Sequence, residues 1–495
     1  MGVQVTVTQE RKSMEPWLLD AVVFKDHQIS GIRKLMRWRS FLLADDMGLG
    51  KSLQALTVFI GDIIMGNGDT AIVICPTTLR GNWADEIEKF TRVPYVRLGE
   101  EYIGDTERVK TLGPKARSAQ LADFSLIEGP KILITNYEQI GPHLEELNRI
   151  GFHAAIFDEA TYMKNPSSQR TKACLALKAK RNFILTGTPI LNQVSELWAL
   201  LNKISPQTFP NYYKFINRYC VFGGYQNKQV VGAKNITELN KVLEQVMLRR
   251  LKKDVLTIPE PTYIQVKVDL SPLQQKLYDE ADDELRISSI DPLAPAQEID
   301  NALVKFLRLK QICGTPATLG FDDVSFKLDA VIDRLKIDIA NGEKVVIFTQ
   351  FRGVLDAIRN RIDKEGISRT ELTGDVKKPD RMPLVRAWAD TPGPTVLLCM
   401  TQLAIGFNAT EAKVCYFVDK LFVPGLNQQA VDRLHRIGQQ ETQAIQVVEF
   451  IARGTVESRV EAILRTKKKT FDNVIESVGF MRKLLEALNA KEESE

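Results

Sequence analysis

Twice along its length this chain alternates short apolar runs with helical segments, and each run ends abruptly at residues that suit a loop. In the first block the runs are residues 41–44, 71–75, 131–135, 154–157 and 182–185; in the second they are 345–349, 395–399, 414–418 and 444–450. Alternation of this kind predicts parallel sheets covered by helices. In such sheets ligands gather at the carboxyl ends of the strands, so chemistry is sought there. Between the blocks lies a basic run, Arg249-Arg250-Leu251-Lys252-Lys253-Asp254, followed by Ile258-Pro259-Glu260-Pro261, which reads as a linker. Residues 271–316 read as helices interrupted by an exposed loop at 288–295. The length of 495 residues is too much for one core and suits two or three domains.

Charge and composition remove several classes of function. With 66 Lys and Arg against 62 Asp and Glu, the net charge is only +4, so a polycationic coat for nucleic acid is excluded. No window supplies the roughly 18 uninterrupted apolar residues of a membrane span; the best candidate, 53–65, is broken by Gln54, Thr57, Gly61 and Asp62. Six scattered cysteines and four histidines give no C-x-x-C pair or cysteine–histidine cluster, which argues against a zinc site and for a reducing compartment. No apolar stretch follows Arg11-Lys12 to make a secretory signal. Residues 1–6 match a loose myristoylation pattern, yet Val3, Val5 and Val7 alternate with polar residues and predict a strand. No repeat of solenoid length and no low-complexity tract is present.

Two constellations carry chemistry. After the run at 41–44 stands Asp45-Asp46-Met47-Gly48-Leu49-Gly50-Lys51-Ser52, and an apolar helical pattern follows. Strand, glycine turn, Lys-Ser and helix together make a phosphate cradle, with Gly48 and Gly50 letting backbone N–H groups approach the ligand. Lys51 would reach the β- and γ-phosphates and Ser52 would hold Mg²⁺. The strict pattern wants glycine where Asp45 stands, and a simple turn between strand and helix is the plainer alternative. The run at 154–157 leads directly into Asp158-Glu159-Ala160-Thr161. A buried strand ending in Asp-Glu suits a Walker-B site, with Asp158 in the Mg²⁺ shell and Glu159 orienting or deprotonating water. A charged turn after a strand is common by itself; the cradle upstream weakens that reading.

Leu185-Thr186-Gly187-Thr188-Pro189-Ile190-Leu191-Asn192, through Glu196-Leu197-Trp198, resembles motif III of the Swi/Snf-like branch of superfamily-two helicases. Residues 42–52 resemble motif I of that branch, and Asp158-Glu159-Ala160-Thr161-Tyr162-Met163-Lys164-Asn165 resembles motif II with its extension. Residues 248–255 resemble the segment closing the first motor domain, and Gln429-Ala430-Val431-Asp432-Arg433-Leu434-His435-Arg436-Ile437-Gly438-Gln439 resembles motif VI. The similarity runs in unbroken order from about residue 24 to residue 465. It implies an α/β fold of two tandem RecA-like domains, parallel sheets flanked by helices, with helical insertions. The expected division is 1–255 for the first motor domain, 256–325 for linker and helical insertion, 326–465 for the second motor domain, and 466–495 for a charged helical tail.

Further roles follow from the resemblance residue by residue. Gln28, in Asp26-His27-Gln28, would contact adenine, and Gly406 of the motif V region would also face the nucleotide. Pro76 with the segment to Leu79 and Trp83 resembles motif Ia, on the nucleic-acid side. Thr135, Lys164, Thr188, Thr349 and Gln350 are further expected contacts to the nucleic acid. Arg433 and Arg436, three apart on one helix face, would act as arginine fingers across the nucleotide cleft; such a finger is worth about 10³–10⁵ in turnover. Two positions depart from the family pattern. Thr161 stands where motif II usually ends in histidine, and Leu403-Ala404 replace two glycines of motif V. Lys467-Lys468-Lys469 read as a solvated helix face, and Trp17, Trp38 and Trp388 as packing residues.

The resemblance implies ATP and Mg²⁺ as cofactors and double-stranded DNA, branched DNA included, as track, held by salt-sensitive and sequence-tolerant phosphate contacts. No chromatin-reader module is recognisable, which favours a compact monomeric motor of prokaryotic or viral origin, cytoplasmic and nucleoid-associated when working. The alternatives are a strand-separating, annealing or branch-migrating helicase on forked DNA, and a nucleotide-gated DNA-binding protein with little turnover.

Overall fold

The computed structural model describes residues 17–19, 22–102, 109–190, 193–223, 229–256, 259–283, 286–287, 297–298, 302–377, 380–404, 407, 409–421, 423–435, 444–458 and 461. The strand expected at Val3–Val7 and the tail from 466 lie outside them. The chain divides after Val255, and each part carries its own parallel sheet.

In the first part β1 (Phe41–Leu43), β2 (Thr70–Cys75), β3 (Tyr95–Arg97), β4 (Lys131–Asn136), β5 (Ala154–Asp158), β6 (Arg181–Leu185) and β7 (Met247–Leu248) form a seven-stranded sheet of order β7-β1-β6-β5-β2-β4-β3. Every pairing within it is parallel. Side chains alternate across it with the period of two that a strand imposes. Leu42, Ile72, Ile74, Leu133, Ala155, Phe157 and Ile184 enter one core. Phe41, Leu43, Val73, Ile134, Ile156, Phe183 and Leu185 enter the other. Both faces are therefore covered, which is why the strands read as unbroken apolar runs. The helices that bear on the site are α1 (Asp26–Met36), α2 (Lys51–Ile64) and α3 (Arg80–Phe90); α4 (Leu197–Ile204) packs on the first core.

On α4 the Lys203 ammonium is buried, donating to Leu177 O at 2.5 Å and lying 5.3 Å from the centre of the Phe157 ring. Burial pushes its pKa down to about 8. The unfolded chain therefore holds this proton up to about pH 10.5 while the folded chain releases it near pH 8, so folding gains as pH rises between these values. Relative to Lys203→Met, the native chain is expected to gain stability over pH 8–10.5 at about 1.4 kcal/mol per unit at most. Urea denaturation of both proteins across that range reads the difference, which cancels contributions common to both, such as those of the buried thiols. A pH-independent difference would show an ordinary lysine.

In the second part β8 (Thr262–Val268), β9 (Val345–Thr349), β10 (Arg369–Leu372), β11 (Val396–Met400), β12 (Val414–Phe417) and β13 (Gln446–Ala452) form a six-stranded parallel sheet of order β8-β13-β12-β9-β11-β10. Here too alternate residues feed two cores, Val345 and Ile347 one, Val346 and Phe348 the other. The stretch 256–325, expected as linker and helical insertion, also supplies β8, which runs beside β13 from Thr262–Gln446 to Val268–Ala452. Helices α5 (Pro272–Asp283) and α6 (Ala302–Gly314) follow it and pack on each other through Leu277, Ala281, Leu309 and Ile312. Two parallel sheets flanked by helices are the expected fold class. Among the described residues no helix is long and apolar enough to cross a membrane, and all six cysteines are buried and unbridged.

Candidate active site

Strand register assembles the site of the first domain. Leu43 pairs with Leu185 and Leu185 with Asp158, so the loop after β1, the Thr186-Gly187-Thr188 turn and the Asp158-Glu159 pair all emerge along one edge. Only β6 separates β1 from β5, placing their ends about 10 Å apart. On the far side of β5 the row continues through β2 to β4, where Cys75 pairs with Asn136.

The loop 45–50 turns through Gly48 and Gly50, at φ +86° and +76°, a region that costs any other residue backbone strain. Gly50 is the residue before α2, so the helix amino terminus opens into the loop. Lys51 Nζ donates to Asp45 O at 2.9 Å and Asp46 O at 3.2 Å, holding the ammonium against the loop that would receive phosphate. Gly187 comes close as well: a Cβ there would sit 2.6 Å from Met47 Cγ. Gln28, expected to read adenine, is 5% exposed. Its Oε1 accepts from Lys25 N at 3.0 Å, and its Nε2 donates to Leu49 O at 3.3 Å. In this arrangement both ends of the amide serve the protein itself. Next to it, burial pushes the His27 imidazole below its usual pKa, opposed by the ring's bond to Leu49 O at 3.2 Å.

Asp45, the departure from the strict phosphate-loop pattern, has a structural reason. It is fully buried, its Oδ1 accepts Arg250 Nε at 3.0 Å and its Oδ2 accepts Gln54 Nε2 at 3.2 Å and a further Arg250 nitrogen. Arg250 also donates to Gln54 Oε1 at 2.7 Å and to His27 O. Arg249 reaches Ala44 O at 2.6 Å, Asp46 Oδ1 at 3.2 Å and Gly187 O at 3.2 Å. The basic run therefore locks the loop to β7 and to the turn after β6. Nothing local in the sequence marks either arginine; the only signal is opposite charge some 200 residues away.

Asp158 is held from three directions. Its Oδ1 accepts the Glu159 N–H at 2.9 Å, its Oδ2 accepts Trp83 Nε1 at 2.9 Å, and its carbonyl accepts the Tyr137 hydroxyl at 2.7 Å. Trp83, expected on the nucleic-acid side, is 2% exposed and belongs to this shell. Glu159 is buried and lies in the left-handed region at φ +48°. With Ser52 at the first turn of α2 the donors are hard oxygens, which fits Mg²⁺.

Several expected nucleic-acid contacts are placed in the interior. Thr135 is fully buried in β4, and Pro76 and Thr188 are buried as well. Thr349 is 1% exposed and donates to Asp419 Oδ2 at 2.5 Å; the same carboxylate accepts Gln350 N–H at 2.9 Å. Thr135 and Thr349 are thus core and framework residues here. Lys164 remains half-exposed, 3.5 Å from Glu196, and Gln350 is half-buried. Thr161 is buried in a short 3₁₀ turn (Ala160–Met163). Arg433 is 3% exposed, its Nη1 3.5 Å from Phe407 O, folded into its own domain. Arg436 and Gly406 lie outside the described residues. The departure at 403–404 is also explained by packing: Ala404 is 1% exposed in a core with Phe407 and Ala409, and Leu403 packs against it.

Residues 2–318 match the family model of the SNF2-related domain, and residues 327–438 that of the helicase conserved C-terminal domain. A putative ATP-dependent helicase/translocase, YwqA, of Bacillus subtilis is 26% identical over 513 residues, spanning 98% of this chain and 53% of that protein. An uncharacterized ATP-dependent helicase of Mycoplasma pneumoniae is 28% identical over 450 residues, spanning 90% of this chain and 41% of the relative. The solved Sulfolobus solfataricus SWI2/SNF2 ATPase core in complex with dsDNA is 26% identical, with coverage of 94% of this chain and 95% of that one at a TM-score of 0.42. The chain spans about half the length, or less, of these curated relatives. With the first family model matching well over half of the residues, and the strand-end geometry above carrying that family's motifs, this chain belongs to the SNF2-related family.

Proposed function

We propose that this chain is a DNA-dependent ATP hydrolase that converts hydrolysis into movement along double-stranded DNA. The observation that carries the reading is the common edge on which the loop at 45–52, Thr186–Thr188 and Asp158-Glu159 emerge in consecutive register. The loop amides and Lys51 bind phosphate once the ammonium leaves Asp45 O and Asp46 O. Ser52 and Asp158 hold Mg²⁺, which supplies positive charge at the phosphate oxygens when bound. Glu159 takes the proton of the attacking water. By family resemblance Arg433 and Arg436 stabilise charge on the transferred phosphoryl group, Arg433 after leaving its position at Phe407 O. The resemblance also gives double-stranded DNA as the track, and the name of the Bacillus relative supports translocation.

The test combines steady-state ATPase, with and without duplex DNA, and two strand-release assays. Hydrolysis is expected to rise with duplex, and a third strand is expected to leave a triplex only with ATP, since it lies in the motor's path. A labelled strand is expected to remain on a forked duplex of ordinary length. Robust fork unwinding without triplex displacement would replace the translocase by a strand-separating helicase; absent turnover would leave a nucleotide-gated binding protein.

A further inference from the structure

Two aromatic donors converge on one carboxylate residue from two separate elements. Trp83 lies on α3, after β2, and its indole N–H meets Asp158 Oδ2 at 2.9 Å. Tyr137 opens a short helix (Tyr137–Ile140) directly after β4, and its hydroxyl meets the Asp158 carbonyl at 2.7 Å. Both side chains are almost fully buried, at 2% and 1% exposure, and the Tyr137 ring stacks on Tyr162 with centroids 5.4 Å apart. Neither donor can be replaced by water without opening the core.

From this geometry we infer that Trp83 is a positioning residue for the metal-binding carboxylate, aiming Asp158 at Mg²⁺, with Tyr137 fixing the backbone beneath it. Asp158 ends a strand at the rim of the sheet, where a carboxylate left alone samples several orientations. The Glu159 N–H holds Oδ1 and the indole N–H holds Oδ2, and two fixed bonds to two oxygens leave one plane for the group. On this proposal, the fixed plane is the one in which the carboxylate meets the metal. Metal-binding carboxylates are commonly held by such outer partners, whose loss costs about 10–100-fold in metal affinity. A bond of this type to a charged group also matches the usual strength of a charge-assisted pair. This inference rests on the nucleotide reading above and adds the residue that tunes its metal.

The experiment uses the full chain and Trp83→Phe, which keeps a smaller aromatic ring in the core and removes the indole N–H. Binding of a fluorescent ATP analogue is titrated at increasing Mg²⁺, and Mn²⁺ binding to the analogue complex is read independently by spin resonance. The expected result is unchanged analogue affinity without metal, a half-saturating Mg²⁺ concentration raised about 10–100-fold, and a parallel weakening for Mn²⁺. Tyr137→Phe is measured beside it and is expected to shift the metal requirement in the same direction by less. It stands in for Trp83→Phe should that variant fail to fold. An unchanged Mg²⁺ requirement in a folded Trp83→Phe, or in Tyr137→Phe alone if the first does not fold, would overturn the assignment while leaving the nucleotide site intact. Analogue binding to the native chain that never responds to Mg²⁺ would overturn the nucleotide reading itself, and this inference with it.

Discussion

Replacing Glu159 by Gln is expected to leave ATP binding intact while turnover falls roughly 10²–10⁴-fold, the contribution a positioned general base makes. The substitution keeps the shape of the side chain and removes only its capacity to take a proton. Two backbone contacts of the residue do not depend on its side chain. The Glu159 N–H stays on Asp158 Oδ1, and Glu159 O still accepts Tyr162 N–H at 3.0 Å. Asp158 keeps its Trp83 and Tyr137 donors, so the carboxylate proposed to hold Mg²⁺ stays in place. Nucleotide affinity and single-turnover hydrolysis in the presence of duplex DNA separate the two effects. Turnover within threefold of the native rate would move the base to another residue.

Removing the Arg250 guanidinium is expected to destabilise the first domain by about 3–5 kcal/mol, the usual result of stripping one partner from a buried ion pair. Asp45 is fully buried, and Arg250 supplies two of its bonds. Without them the carboxylate keeps Gln54 Nε2 alone among its described side-chain donors, at 3.2 Å. Arg250→Met retains much of the stem's packing, so the loss reports the charge. Adding Asp45→Asn to it should recover a large part of the deficit, since the uncompensated charge then disappears. Urea unfolding of the single and double variants measures both numbers. Equal losses in Arg250→Met and the double variant would mean that the pair contributes nothing beyond packing.

Much of this architecture was legible because the strands are buried on both faces and read as apolar runs with abrupt ends. The runs at 154–157 and 182–185 differ from β5 and β6 by a single residue at one end. The failures have physical causes. β8 contains Thr262, Ile264, Val266 and Val268, a good strand pattern, but Pro259 and Pro261 dominate the local reading. Its pairing partner lies some 180 residues ahead. β3 and β7, three and two residues long, carry no periodicity to detect. At the site, motif spacing put Lys51, Ser52, Asp158 and Glu159 at strand ends, and the register brings those ends onto one edge. It could not say which face a terminal strand residue chooses. Thr135 and Thr349 turned inward, while the next residue, Asn136, serves instead as a helix cap by accepting Gln139 N–H at 3.1 Å. Trp83 shows the same limit: its chain position pointed outward, but the helix face it occupies points at Asp158.

The backbone at Glu159 bears on how this chain can change over time. Among the described non-glycine residues only Glu159 and Asn235 adopt positive φ, at 48° and 52°. Asparagine tolerates that region comparatively well, whereas for glutamate it is uncommon and costs on the order of 1 kcal/mol. Heat resistance and the proposed chemistry therefore pull position 159 in opposite directions. A population selected for thermal endurance alone would drift there toward glycine or asparagine, and each such step would remove the carboxylate proposed as general base while making the scaffold sturdier.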